Sequence, residues 1–316
     1  DNVASYYVGN GTARTYLMRR LKADVIIMTM PDLNTFHIKR SPECKNYVYF
    51  HHSMVSTHMV YRKSAFDHFD TILCVGPHHM DEIRKWEQCQ GLPAKKLLEH
   101  GYGPLDTIRE VSKFRGMPSK DATGKLNVLL APSWGPEGLM ETRAVEIVET
   151  LLEAGHNVHV RPHPRTYQLS RGCLVNLEKT FSDHPNFKMN RDISQFAALL
   201  EAHILISDWS GVAMEFAFGL ERPVLFIDVP RKLNNPCYEE IDIVPIEVSY
   251  REKVGVVIAP DRINDIPEAL DMMYEKAVNF QSRIQEFRDK NIFHIDKSAQ
   301  VGASHIYNLL TQDGAA

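Results

Sequence analysis

Short β-branched apolar runs alternate along the chain with longer stretches whose apolar residues recur at helical spacing. Residues 24–28, 46–50, 71–75, 126–131, 157–160, 203–207 and 223–227 are such runs and predict strands. Between 141 and 152, Ala144, Ile147, Val148, Leu151 and Leu152 share one helix face, and Gly155 supplies the stop. Asp192, Ile193 and Ser194 predict a capped start for a helix carrying Phe196, Leu199 and Leu200. In the tail, Leu270, Met273, Ala277, Phe280, Ile284 and Phe287 predict one long amphipathic helix over 267–290 that packs across domains. Strands alternating with helices argue for an α/β fold with parallel sheets.

The stretch 113–125, KFRGMPSKDATGK, is polar and aperiodic and carries Gly116, Pro118 and Gly124, so it is the expected domain boundary. The predicted fold is α/β, with two Rossmann-like domains facing a cleft. An acceptor-side domain covers 1–115, a nucleotide-donor domain 125–266, and C-terminal helices 267–316. A first domain of that size is small for its class, and the chain opens on Asp1. Both features predict an N-terminally truncated front domain.

Composition narrows the function classes only slightly. The 316 residues carry a formal charge of -4, which gives no global attraction to nucleic acid. Five scattered cysteines without a C-x-x-C pair fit a reduced, cytoplasmic chain. No apolar run reaches the roughly 20 residues of a membrane span.

Ligands of open α/β sheets lie beyond the carboxyl ends of strands, and four polar groups fall there. They are HHSMVSTH with His51, His52 and His58, then APSWGPEG with Ser133, then RPHPR with Arg161, His163 and Arg165, and SDWSG from Ser207 to Gly211. His51 and His52, adjacent on an extended segment, should point to opposite sides, one into the core and one into the cleft. The prolines around His163 can rigidify a loop that aims one imidazole, although a surface turn with solvated arginines explains the same residues. Asp208 or Ser210 could simply cap the helix that follows, or the free N–H groups at its start could hold phosphate. His78 and His79 read as surface or capping residues. There is no P-loop, no G-x-G-x-x-G, no G-x-S-x-G, no D-x-D and no zinc motif. Any bound phosphate must therefore be neutralised by arginine, histidine and a helix N-terminus, with no metal and no cofactor expected.

VLLAPSW (128–134), RPHP (161–164), SDWSGVAMEFAFGLERPVLFID (207–228) and GYGPLD (101–106), with FHHSM placing His52 at a front-domain strand end, resemble the CDP-glycerol glycerophosphotransferases. These enzymes build teichoic acids and related capsule polymers. The chain departs from the family pattern at HHSM, at Gly211 where a second serine is usual, and after Trp134, where a basic residue is common. The resemblance implies the glycosyltransferase-B arrangement and a CDP-activated polyol phosphate as donor. It implies a lipid-linked or saccharide acceptor at the inner face of the cell membrane, with peripheral membrane contact and no nucleic acid. His52 is then the expected base and His163 the second catalytic group. Arg161, Ser133, Ser207, Asp208, Ser210, Gly211 and Glu215 are the expected donor- and phosphate-binding residues. A glycosyltransferase of the same architecture using a nucleotide sugar, a sugar-nucleotide epimerase, and a binding module without turnover are the alternatives.

Overall fold

The computed structural model describes residues 3–9, 11–35, 38–120, 123–190 and 196–312. The chain forms two compact units. The first contains Asp1–Tyr102, Asn234–Ile243 and Ile292–Ala316; the second contains Gly103–Leu233 and Val244–Asn291.

In the first unit four parallel strands, β1 (Ala23–Met28), β2 (Cys44–Phe50), β3 (Thr71–Cys74) and β4 (Lys96–Glu99), pair in chain order. The helix Pro77–Gln90 makes the crossover from β3 to β4. It starts behind an extended Gly76 with Pro77 in its first turn and stops at Gly91 in the left-handed region, φ 63°. The C-terminal helix Ser298–Gln312 returns to this sheet, where Leu309 packs with Val48 and Leu73.

The second unit holds six parallel strands: β5 (Asn127–Leu130), β6 (Asn157–Val160), β7 (Phe187–Met189), β8 (Ile204–Ser207), β9 (Val224–Ile227) and β10 (Gly255–Ile258). Their order is β10-β9-β8-β5-β6-β7. Strands β8 and β9 are buried along their whole length, which explains their unbroken apolar runs. Both units are Rossmann-like, as the alternation of strands and helices predicts.

Several elements differ from expectation. The amphipathic helix over 141–152 is two helices, Leu139–Thr142 and Ala144–Glu153, separated by Arg143 at φ -134°. Its predicted face is nevertheless the buried one. The long tail helix is broken at Lys276 into Ile266–Glu275 and Ala277–Asn291, both in the second unit. The helix cap expected at 192–194 lies outside the described residues; the helix itself runs Ala197–Glu201. The division between units falls after Tyr102, ahead of the polar stretch 113–125, of which 121–122 lie outside the described residues. Packing explains this. Helix Gly103–Ser112 lies against helix Val212–Leu220 so closely that a Cβ on Gly219 would sit 2.5 Å from Ile108 Cγ2. No helix among the described residues is long and apolar enough to cross a membrane.

Candidate functional site

The second sheet reverses its direction of growth at β5, which has β6 on one side and β8 on the other. In open α/β sheets such a switch point is where loops diverge and leave room for a ligand. The loops after β5, β6 and β8 carry APSW, RPHPR and DWSG, so the sheet order brings three of the four sequence groups side by side.

Asp208 organises two of these loops. Its carboxylate accepts the Ser133 N–H at 2.7 Å, the Ser133 hydroxyl at 3.1 Å and the Leu139 N–H at 3.2 Å, and only 1% of the residue is exposed. Of the two readings that the sequence leaves open, Asp208 does not take the capping one. Helix Val212–Leu220 has Gly211 as its N-cap and no side-chain cap, because Asp208 turns toward the β5 loop. Ser207 is likewise committed, its hydroxyl donating to the Ala131 carbonyl at 2.9 Å. Ser133, Ser207 and Asp208 thus hold the loops in place. Ser210 and Gly211 are half-buried at the helix start. Among the described residues, the N–H groups of Ser210, Gly211 and Val212 donate to no protein acceptor. Glu215 is half-buried in the first turn.

On the β6 side, the Arg161 N–H continues the sheet to the Leu130 carbonyl at 2.8 Å. The His163 Nδ1 accepts the Arg165 N–H at 3.1 Å. That bond puts the proton of the neutral ring on Nε2, as a donor. Burial, then the charges of Lys232, Arg165 and Arg161, push the His163 pKa down to about 4, so the ring is neutral near pH 7. Trp134, 6.1 Å from the His163 ring, carries two cations: Arg165 Cζ at 4.2 Å and Lys232 Nζ at 3.7 Å from its ring centre. Lys232 was missed from sequence. It follows β9, the strand beside β8, so its place past a strand end was the available signal.

In the first unit, β2 ends at His51 and His52. The two rings do point apart. His51 is 3% exposed and stacks on His79 at 3.8 Å, whereas His52 is exposed. Burial, then neighbouring histidines, push His51 and His79 well below the ordinary imidazole range. The His52 Nδ1 lies 2.8 Å from the Thr29 carbonyl, just past β1, and 3.2 Å from the Tyr49 hydroxyl. A carbonyl only accepts, so Nδ1 carries the proton and Nε2 keeps its lone pair. The Tyr102 hydroxyl also anchors the His52 carbonyl at 2.9 Å.

The loop beyond His52 is pinned by helix Pro77–Gln90. His78 and His79 Nε2 reach the Met54 and Val55 carbonyls at 3.0 and 2.9 Å. This corrects the surface role expected for that pair. Glu82 accepts the Thr57 N–H and hydroxyl at 2.6 and 2.7 Å and lies 3.3 Å from His58 Nδ1, while His58 Nε2 lies 3.0 Å from the Ile243 carbonyl. Both His58 nitrogens thus face acceptors, the Glu82 carboxylate and the Ile243 carbonyl. Among the described residues, no group of three or more His, Cys, Asp or Glu side chains could hold a metal ion.

No family model matches the sequence, and no curated protein matches it. Solved structures do match. The wall teichoic acid polymerase TagF, as a histidine-to-asparagine variant, aligns with TM-score 0.59 and 14% identity over 92% of this chain and 74% of that one. The same variant soaked with CDPG gives 0.57 and 15% over 92% and 73%. The Methanocaldococcus jannaschii UDP-GlcNAc 2-epimerase in complex with UDP-GlcNAc and UDP gives 0.56 and 14% over 96% and 83%. Likeness at this identity is likeness of fold: the chain shares with these proteins the pair of Rossmann-like units of the glycosyltransferase-B type.

Proposed function

We propose that the protein is a transferase that moves a polyol phosphate, glycerol phosphate or a close relative, from a CDP-activated donor to a hydroxyl of a lipid-linked or saccharide acceptor. The observation that carries this reading is the His52 ring, whose Nδ1 is tied to the Thr29 carbonyl while the exposed side chain keeps Nε2 as an acceptor. Nε2 takes the proton of the acceptor hydroxyl, the freed oxygen attacks the β-phosphorus of the donor, and CMP leaves with the bonding electrons. Neutral His163, donating from Nε2, Arg161, the Ser210 hydroxyl and the N–H groups of Ser210 and Gly211 stabilise the charge on the phosphates. Glu215 accepts a ribose hydroxyl. Ser133, Ser207 and Asp208 act by holding the loops. The protein works at the cytoplasmic face of a membrane, where lipid-linked acceptors lie. Support comes from the fold shared with TagF, which has been soaked with CDPG, and from the ordered motifs.

The fold shared with an epimerase that binds UDP-GlcNAc and UDP favours a second reading, a glycosyltransferase using a nucleotide sugar. A release assay decides between them. CDP-glycerol, CDP-ribitol and common nucleotide sugars are offered with lipid-linked and saccharide acceptors, and CMP or nucleoside diphosphate is measured. CMP from a CDP-polyol is the expected product; nucleoside diphosphate from sugars alone would reverse the choice. His52→Ala should lower transfer by about 10²–10⁴-fold with donor binding retained. Activity within about tenfold of wild type would remove His52 as the base.

A further inference from the structure

Among the described residues the cations beside Trp134 have no carboxylate partner within salt-bridge distance. Among the described residues neither Lys232 nor Arg165 forms an ion pair; each instead lies over the Trp134 ring. Lys232 leaves β9, and Arg165 and His163 belong to the loop after β6, so two non-adjacent strands aim positive charge at one indole. Crowding like charges is unfavourable in the empty protein. It is offset when an anion with several oxygens sits among them. Asp208, whose charge acts on Lys232, is already committed to Ser133 and Leu139.

We propose that Lys232 is an anion-binding residue of this site and, with Arg165 and the Nε2–H of His163, forms a receptor for a diphosphate rather than a monophosphate. The inference rests on the donor reading above and adds to it a residue and a specificity. Trp134 acts as the platform that holds the lysine stem. Three donors from separate side chains offer more charge-assisted hydrogen bonds to the oxygens of two linked phosphates than to those of one.

The ammonium of Lys232 makes the proposal readable by pH. Burial lowers its pKa to about 8; Asp208 and Glu141 act against that fall, and Arg165 adds to it. The His163 ring that faces it is neutral over the same range. Lys232 therefore loses its charge between pH 7 and 9, and CDP affinity should fall by about tenfold across that interval.

The test is calorimetric titration of the whole protein with CDP, UDP, CMP and inorganic pyrophosphate. It uses wild type, Lys232→Met, which keeps a long stem over Trp134, and Lys232→Arg. Lys232→Met should weaken CDP by roughly ten- to hundred-fold and CMP by less than about threefold, and its CDP affinity should not change from pH 7 to 9. Lys232→Arg should bind CDP within about threefold of wild type. Wild type that binds CDP with no pH effect, beside a Lys232→Met that binds equally well, would overturn the role of Lys232 and leave the donor reading standing. Binding of UDP or pyrophosphate but not CDP, weakened by Lys232→Met, would support Lys232 and overturn the cytidine reading. Wild type that binds none of the four would overturn both.

Discussion

Asp208→Asn isolates the link between the β5 and β8 loops. The carboxylate accepts three hydrogen bonds, two from backbone N–H groups of residues that are themselves buried, Ser133 and Leu139. An amide can keep one oxygen on the Ser133 N–H, and the Ser133 hydroxyl can rotate to accept from the new NH₂. The Leu139 N–H cannot rotate. It would face a donor where it now finds an oxygen at 3.2 Å. A buried donor left without an acceptor costs about 1–3 kcal/mol, and exchanging a charged acceptor for a neutral one adds about 1 kcal/mol. The second unit should therefore lose about 2–4 kcal/mol. With a urea slope of about 2 kcal/mol per molar, the midpoint drops by about 1–2 M. Tryptophan fluorescence reports chiefly on this unit, which holds Trp134 and Trp209, whereas Trp86 lies in the first. Donor affinity should fall in the same variant. The β5 loop loosens, and Lys232 loses a negative neighbour that supports its charge. A midpoint within about 0.2 M of wild type would show that Asp208 does not hold the loops. An unchanged midpoint with weakened donor binding would return Asp208 to direct contact with the ligand.

Glu82 gives the first unit a pH dependence. Burial pushes its carboxyl up, but hydrogen bonds from His58 and Thr57 and the charges of His78 and His58 more than offset this, and the group titrates below its usual 4.5. A depressed carboxyl stabilises the fold above the unfolded pKa and loses that contribution as pH falls from about 4.5 through the folded value. Acid unfolding of the first unit should show this loss and Glu82→Gln should not; parallel acid curves would refute it. At the helix start, Ser210→Ala should change stability by under about 0.5 kcal/mol, because Ser210 caps nothing, and weaken donor binding by roughly ten-fold or more. A thermal melt and a CDP titration on one preparation read both effects, and unchanged CDP affinity would remove the Ser210 hydroxyl from the site.

Much of this arrangement is written in local sequence. The central strands β2, β3, β5, β8 and β9 are legible because burial on both faces demands continuous apolar runs. The strands that escape notice, β4, β7 and β10, are sheet edges of three or four residues, such as Phe187–Met189 with an exposed lysine between its apolar neighbours. An edge strand has one partner and half the burial, so its pattern is weak. The alternation of facing is also local, and it separates buried His51 from exposed His52.

Tertiary structure alone decides what each polar side chain touches. Nothing near Asp208 in sequence tells that its carboxylate serves Ser133 and Leu139, because the strand order β8-β5 creates that proximity. The same holds for His78, His79 and Glu82, which look like a solvated helix start until the loop after His52 folds over them. Lys232 becomes a site residue only because β9 lies two places from β5 and delivers it to the Trp134 ring. Hydrophobic periodicity reports burial along one element. Hydrogen bonds and charges between elements depend on which strands are neighbours, and no short stretch of sequence carries that information.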